Sequence, residues 1–150
     1  MIRQVTAASG VLTALVAFAP AASAADDVTV LIQSGTVKCS LSADDVPRGG
    51  GPIAACERTN GQPWGQTMPS QEKYATSLPI AVMKGGGQFY WDGGNLRGVP
   101  PVTGDGPTLG PGQTYNANGW TVDVEGPRTR ITNDVSKHGM LVYAEVVRTF

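Results

Sequence analysis

The chain holds one histidine and two cysteines. These two scarcities remove most enzyme chemistries at once. A zinc site draws on a cluster of Cys, His and carboxylate ligands. His138 lies far in sequence from Cys39 and Cys56, so no such cluster can be written. The C-x-x-C spacing of a redox pair is also missing. Asp26-Asp27 and Asp44-Asp45 are adjacent carboxylates without the spaced ladder of a calcium loop, and they read as solvated turns. Gly49-Gly50-Gly51 and Gly85-Gly86-Gly87 lack the Lys-Ser/Thr and the helix that follow a phosphate-binding loop, and they too read as turns. Neither a metal nor a cofactor is expected.

Charge is equally sparse. Eleven basic and twelve acidic side chains leave a formal net charge of −1, and no run of like charges occurs. That balance argues against a nucleic-acid partner and against a solvating acidic tail. Helical periodicity is missing as well. Gly and Pro interrupt nearly every window beyond the first two dozen residues, and both disfavour helix interiors.

What is present begins with Met1-Ile2-Arg3-Gln4, a short positive start. An uncharged apolar stretch containing Val11, Leu12, Leu15, Val16 and Phe18 follows, ending at Pro20 and Ala22-Ser23-Ala24. This is the order of a cleavable secretory signal. The apolar core is too short for a permanent span, which takes roughly 20 residues. Ala25 stands where a lipoprotein would carry Cys, and no twin-arginine pair precedes it. The expected organisation is a signal peptide over 1–24 and one domain over 25–150, without a transmembrane segment. Cys39 and Cys56 both fall in the exported part. An oxidising compartment closes such a pair, adding about 3 kcal/mol by limiting the unfolded chain.

Short alternating or β-branched runs then predict strands at Val28–Ile32, Thr36–Leu41 and Ile53–Glu57, with a tight turn at Ser34-Gly35. The disulfide would join the second of these to the third. Ile80–Lys84 and Gln88–Trp91 are weaker candidates. Residues 92–114 are rich in Gly and Pro, but Leu96, Val99, Val102 and Leu109 recur through them, which favours an ordered long loop. Trp120, Val122 and Val124 alternate with Thr121, Asp123 and Glu125. A two-residue turn at Gly126-Pro127 would set Val122 opposite Ile131, Asp123 opposite Arg130 and Glu125 opposite Arg128. Met140–Val147 is apolar on both faces and reads as a central final strand. Together these predict an all-β fold, a single-domain barrel or sandwich of about six to eight short antiparallel strands.

One ordered set of features runs through the mature chain. Ile32-Gln33-Ser34-Gly35 precedes Lys38-Cys39, and Ala55-Cys56-Glu57-Arg58 precedes Trp64. Leu109-Gly110-Pro111-Gly112-Gln113-Thr114 leads to Gly119-Trp120-Thr121-Val122. Ile131-Thr132-Asn133-Asp134, Lys137-His138-Gly139-Met140 and Phe150 close the series. In this it resembles a family of small secreted actinobacterial domains of unknown function, common among mycobacterial exported proteins. The resemblance implies export to the medium or envelope and a β-rich fold, and it implies no activity. Relatives often carry a second cysteine pair near Val122 and at Ile131, where this chain has aliphatic residues.

Candidate sites are few. Ser136, His138 and Asp134 could in principle form a nucleophile, base and orienter, but all three sit within one local turn, whereas triads usually gather separate elements. The favoured reading makes Asn133, Asp134, His138 and Gly139 a structural turn, with Asn133 and Asp134 bonding the backbone, His138 bonding a loop carbonyl, and Gly139 supplying a positive φ. The aromatics Trp64, Tyr74, Tyr90, Trp91, Tyr115 and Trp120 could fill a core, or Tyr90, Trp91, Trp64 and Tyr115 could form a binding surface. The expected function is a monomeric, non-catalytic binding module engaging envelope glycan, lipid or protein. The alternatives are a small hydrolase with an unrecognised acid–base pair and a peptidase inhibitor using the Cys39–Cys56 loop. N-terminal sequencing of the exported protein should read from Ala25. A membrane-retained chain beginning at Met1 would contradict the signal-peptide reading.

Overall fold

Alternation of buried and exposed side chains becomes ten strands in the computed structural model, which describes residues 26–65, 78–94, 96 and 107–150. The signal segment lies outside these residues, as do Tyr74, Val99 and Val102. The first five strands are β1 (Val28–Ile32), β2 (Val37–Ser42), β3 (Ile53–Arg58), β4 (Ile80–Lys84) and β5 (Phe89–Asp92). The next five are β6 (Thr114–Ala117), β7 (Trp120–Val124), β8 (Thr129–Asn133), β9 (Gly139–Val142) and β10 (Val147–Thr149). Each group forms one antiparallel meander, β1-β2-β3-β4-β5 and β10-β9-β8-β7-β6. The fold is a small sandwich of two five-stranded sheets. Among the described residues there is no α-helix, only a single 3₁₀ turn at Val46–Arg48, and no helix long and apolar enough to cross a membrane.

The two sheets bury one apolar face each against the other. Val30, Ile32, Val37, Cys39, Leu41 and Met83 come from the first sheet, and Trp120, Val122, Ile131, Met140 and Val142 from the second. A fully buried side chain of this kind contributes about 1.5–3 kcal/mol. Cys39 and Cys56 are directly paired across β2 and β3 and joined by a disulfide inside this core. Their Cα atoms are 4.1 Å apart, the close approach of a non-hydrogen-bonded antiparallel pair. The opposite face of the first sheet has its own apolar group, Ile53, Ala55, Ile80, Val82 and Leu96, with Tyr90 beside it.

Polar side chains fasten sheet to sheet at the turns. Trp120 Nε1–H donates to the Ser42 carbonyl at 3.2 Å within the core. Asn118 lies in the two-residue Asn-Gly turn between β6 and β7, with φ 52°. Its side-chain amide donates to the carbonyls of Asp26 and Leu41, each at 2.9 Å.

The hairpin between β7 and β8 has the expected register. Val122 faces Ile131, Asp123 faces Arg130, and the Glu125 amide bonds the Arg128 carbonyl. Gly126 turns at φ 114°, as the first central residue of a two-residue loop. The side chains pair differently from the backbone. Glu125 takes both Arg128 and Arg130, each at 2.8 Å, and Asp123 accepts from the Thr114 hydroxyl.

Three expectations are corrected. The final strand is not a single central one. A turn at Tyr143–Val146 splits it into β9 and the edge strand β10, with Ala144 and Glu145 exposed. Asp45 is not solvated. It is 7% exposed and receives the Arg48 backbone N–H and guanidinium. Gly139 does not supply the positive φ in its turn; Lys137 does, at 66°. Gly139 is required because a Cβ there would overlap the Ile131 carbonyl of β8 and crowd the Phe150 ring.

Gly139→Ala should therefore lower stability by about 3 kcal/mol. Gly86→Ala should be near neutral, since a Cβ there meets nothing within 4 Å and Gly86 has no positive φ. Chemical denaturation of both variants checks this. Equal stabilities would contradict the account of Gly139.

Candidate functional site

The site begins with a conformational oddity in the turn after β1. Gln33, Ser34 and Gly35 follow one another with φ 52°, 56° and 80°. Positive φ is uncommon for residues other than glycine, and two in succession need compensation from their surroundings. Gln33 supplies it through its side chain. Its Nε2 donates to the Pro127 carbonyl at 2.7 Å, and its Oε1 accepts from the buried Thr129 hydroxyl at 2.9 Å. Both partners belong to the β7–β8 hairpin. The left-handed turn thereby locks the tip of the first sheet to the tip of the second.

A short extended segment completes the arrangement. The Leu31 amide donates to the Pro107 carbonyl at 3.1 Å, and the Leu109 amide donates to the Leu31 carbonyl at 2.8 Å. Thr108 is thus bridged in parallel to β1. The chain then bends at Gly110-Pro111 and continues beside β7, where Gly112 and Gln113 exchange backbone bonds with Val124. Residues 107–117 run first along one sheet and then along the other.

Between the left-handed turn, this crossing segment and the hairpin turn lies a half-open cleft of about 670 Å³. Leu109 and Val124 form its apolar part, both nearly buried. Ser34, Thr36, Thr108 and Gln113 give it hydroxyl and amide groups, and Ala144 of the β9–β10 turn bounds it. No lining side chain is charged or titratable at neutral pH. Such a cleft can hold an uncharged ligand by shape and hydrogen bonding, and it offers no general acid or base.

Among the described residues, the aromatic side chains do not assemble into one surface. Trp64 is buried, donating from Nε1 to the Pro79 carbonyl at 2.9 Å. Trp91 is near it, with ring centres 6.5 Å apart, and meets Phe89 edge-on at 5.1 Å. These three belong to the inter-sheet core, and Tyr115 of β6 packs against the same core. Tyr90 lies on the other face of β5, against the second apolar group. The strict alternation of a strand separates Tyr90 from Trp91.

Around Tyr90 lies a charged group. Arg48 pairs with Asp45 at 2.8 Å, and its Nε lies 3.4 Å from Asp92, close enough for attraction but not aligned as a hydrogen bond. Burial pulls the Arg48 guanidinium down, but the Asp45 hydrogen bond and the charges of Asp45, Asp92 and Tyr90 hold it above its ordinary value. Burial and then the Asp92 charge raise the Tyr90 phenol. This group holds the 43–52 connection. Asp44 accepts the Gly51 amide at 2.7 Å, and the Asp45 backbone bonds Gly50 and Gly51. The span between Cys39 and Cys56 is therefore turned back on itself rather than presented as an extended loop.

The turn at Asn133–Gly139 is a bonded unit. The Asn133 side chain accepts the amides of Val135 and Ser136 at 3.1 and 3.0 Å. Ser136 Oγ accepts the His138 amide at 3.2 Å, and His138 Nδ1 lies 3.3 Å from the Phe150 carbonyl. Asp134 is directed at the Thr121 hydroxyl. Ser136, His138 and Asp134 thus each have a different partner. The His138 ring rests on Gly87 in the β4–β5 turn, where a Cβ would come within 2.7 Å of it. Among the described residues, no three Cys, His or carboxylate groups lie close enough to hold a metal ion.

One charged group predicts a pH effect. Hydrogen bonds from Arg130 and then Arg128 lower the Glu125 carboxyl below its ordinary 4.5. Its contribution to stability is complete above that value and falls away as pH drops through the lowered folded value. Arg130→Gln should raise the Glu125 midpoint in a carboxyl-carbon NMR titration. An unchanged midpoint would contradict the pairing.

Comparison of the chain with protein families, curated proteins and solved structures finds no match.

Proposed function

We propose that this chain is an exported, non-catalytic binding module that takes an uncharged ligand in the cleft between its two sheet tips. The observation that carries the reading is the composition of that cleft. It has an apolar part and several hydrogen-bonding groups, but no titratable side chain. Hydrolysis needs a base tuned near the working pH and donors aimed at developing charge. The one histidine is at the other end of β8 from the cleft-side hairpin turn and is held in its own turn. Export is supported by the signal-like start and by the buried disulfide, which fits an oxidising compartment. Membership among the secreted actinobacterial domains that the sequence resembles is part of the same proposal.

The test uses residues 25–150 with the disulfide intact, on an array of capped peptides and envelope glycans. A ligand should be retained unchanged. Ala144→Trp, which adds bulk at an exposed turn on the cleft rim, should abolish retention. His138→Ala should lower the melting temperature by a few degrees, for about 1 kcal/mol lost, and leave retention intact. Turnover of an arrayed compound that His138→Ala removes at unchanged stability would overturn the proposal.

A further inference from the structure

Two Asn-Gly pairs occur among the described residues, Asn60-Gly61 and Asn118-Gly119. Asparagine before glycine is open to spontaneous deamidation, because glycine has no Cβ to shield its backbone nitrogen. That nitrogen attacks the asparagine Cγ, ammonia leaves, and a five-membered succinimide forms. Water then opens the ring at either carbonyl. The product is aspartate, or an isoaspartate whose main chain runs through the former side chain. Water is the one co-reactant.

The fold treats the two pairs differently. Asn60 is exposed and its bonds are local. Its Oδ1 accepts the Gln62 amide at 2.9 Å, and the Gly61 amide donates to the Arg58 carbonyl at 3.0 Å. Its NH₂ group meets no partner among the described residues. Asn118 is half-buried, and its NH₂ group is engaged across the sandwich, on the carbonyls of Asp26 and Leu41 at 2.9 Å each. The Gly119 carbonyl accepts the Asp134 amide at 2.9 Å, which holds the next peptide of the turn. Ring closure would require the Asn118 amide to leave both carbonyls and the turn, at φ 52° and 82°, to rotate. The nitrogen that must depart is the atom that fastens the sheets.

We propose that Asn118-Gly119 is a modification site gated by the fold: it deamidates when the two sheets separate, and its product keeps them from fastening again. The assignment is independent of any ligand in the cleft. Deamidation replaces a group with two donors by a carboxylate, which has none. In the closed sandwich that carboxylate would face the Asp26 and Leu41 carbonyls, acceptor against acceptor. An acceptor left unsatisfied in a partly buried place is destabilising. The isoaspartate form also adds a main-chain atom to a turn whose two-residue length sets the β6–β7 register. An opening long enough for ring closure is thus recorded permanently. The sheet-to-sheet contacts themselves set the working lifetime of the exported chain.

The exported protein, disulfide intact, is incubated in mildly alkaline buffer with and without denaturing urea, and both sites are followed by peptide mass spectrometry. In urea, Asn60 and Asn118 should convert at comparable rates. Without urea, Asn118 should convert at least about tenfold more slowly than in urea, with Asn60 slowed far less. Conversion of Asn118 at the same rate in both buffers would overturn the gate. Asn60 slowed as much as Asn118 would overturn the assignment of protection to the Asp26 and Leu41 bonds. Asn118→Asp, which puts the product carboxylate in the turn, should lower the urea midpoint more than Asn118→Gly, which removes the amide and keeps the positive φ. An unchanged midpoint for Asn118→Asp would overturn the proposed consequence. Should that variant fail to fold, deamidated protein separated from the intact form by charge supplies the same comparison.

Discussion

The paired hydrogen bonds between Leu31 and residues 107–109 are the contact on which the rest depends. They cover the outer edge of β1 at Leu31, which would otherwise present unpaired backbone groups there. They also fix where the chain leaves the first sheet and enters the second. With residues 107–109 held on β1 and residues 112–117 held on β7, the sheets are fastened along one side. The Gln33 side chain, the Asn118 side chain and Trp120 Nε1 then fix their tips and their spacing. Each of these groups donates to a carbonyl of the opposite sheet or its turn, Asn118 and Trp120 both to β2. The disulfide performs a narrower task. It fastens β2 to β3 within one sheet and limits the unfolded chain.

The cleft follows from this arrangement. The crossing segment turns at Gly110-Pro111, between its bonds to β1 and its bonds to Val124 of β7. The gap between the tips lies beside this turn, lined by Leu109, Gly110, Pro111 and Gln113. The strained turn at Gln33-Ser34 forms the facing wall, and the Gln33 hydrogen bonds offset its unfavourable backbone. Fold and candidate site thus rest on the same few residues around Leu31 and Gln33.

Much of the fold could be read from the sequence. Val37, Cys39 and Leu41 alternate with polar residues, and the all-β class, the first five strands and the β7–β8 register follow from such patterns. β6 was not legible, since Thr114-Tyr115-Asn116-Ala117 is a short edge strand with little apolar contrast. The break at Tyr143–Val146 was hidden because Leu141, Val142 and Val147 are apolar on either side of a turn without Gly or Pro. The role of Gly139 is not legible locally, because steric exclusion by the Ile131 carbonyl depends on a neighbouring strand, not on local chain geometry.

The candidate site was the least legible part. Its residues are scattered over four turns, and none carries the charge or aromatic character that draws attention in a sequence. The one available signal was Gln33-Ser34 ahead of Gly35, an unusual pair for a left-handed turn, and its partners Pro127 and Thr129 are distant in the chain. Tyr90 and Trp91 are adjacent in the sequence, and the pleat of β5 places them on two faces.

Amide hydrogen exchange on the ligand-free protein tests the central claim most directly. If residues 107–109 dock on β1 by one edge only, the Leu31 and Leu109 amides exchange slowly and the Thr108 amide between them exchanges fast. Fast exchange at Leu109, or strong protection at Thr108, would contradict it.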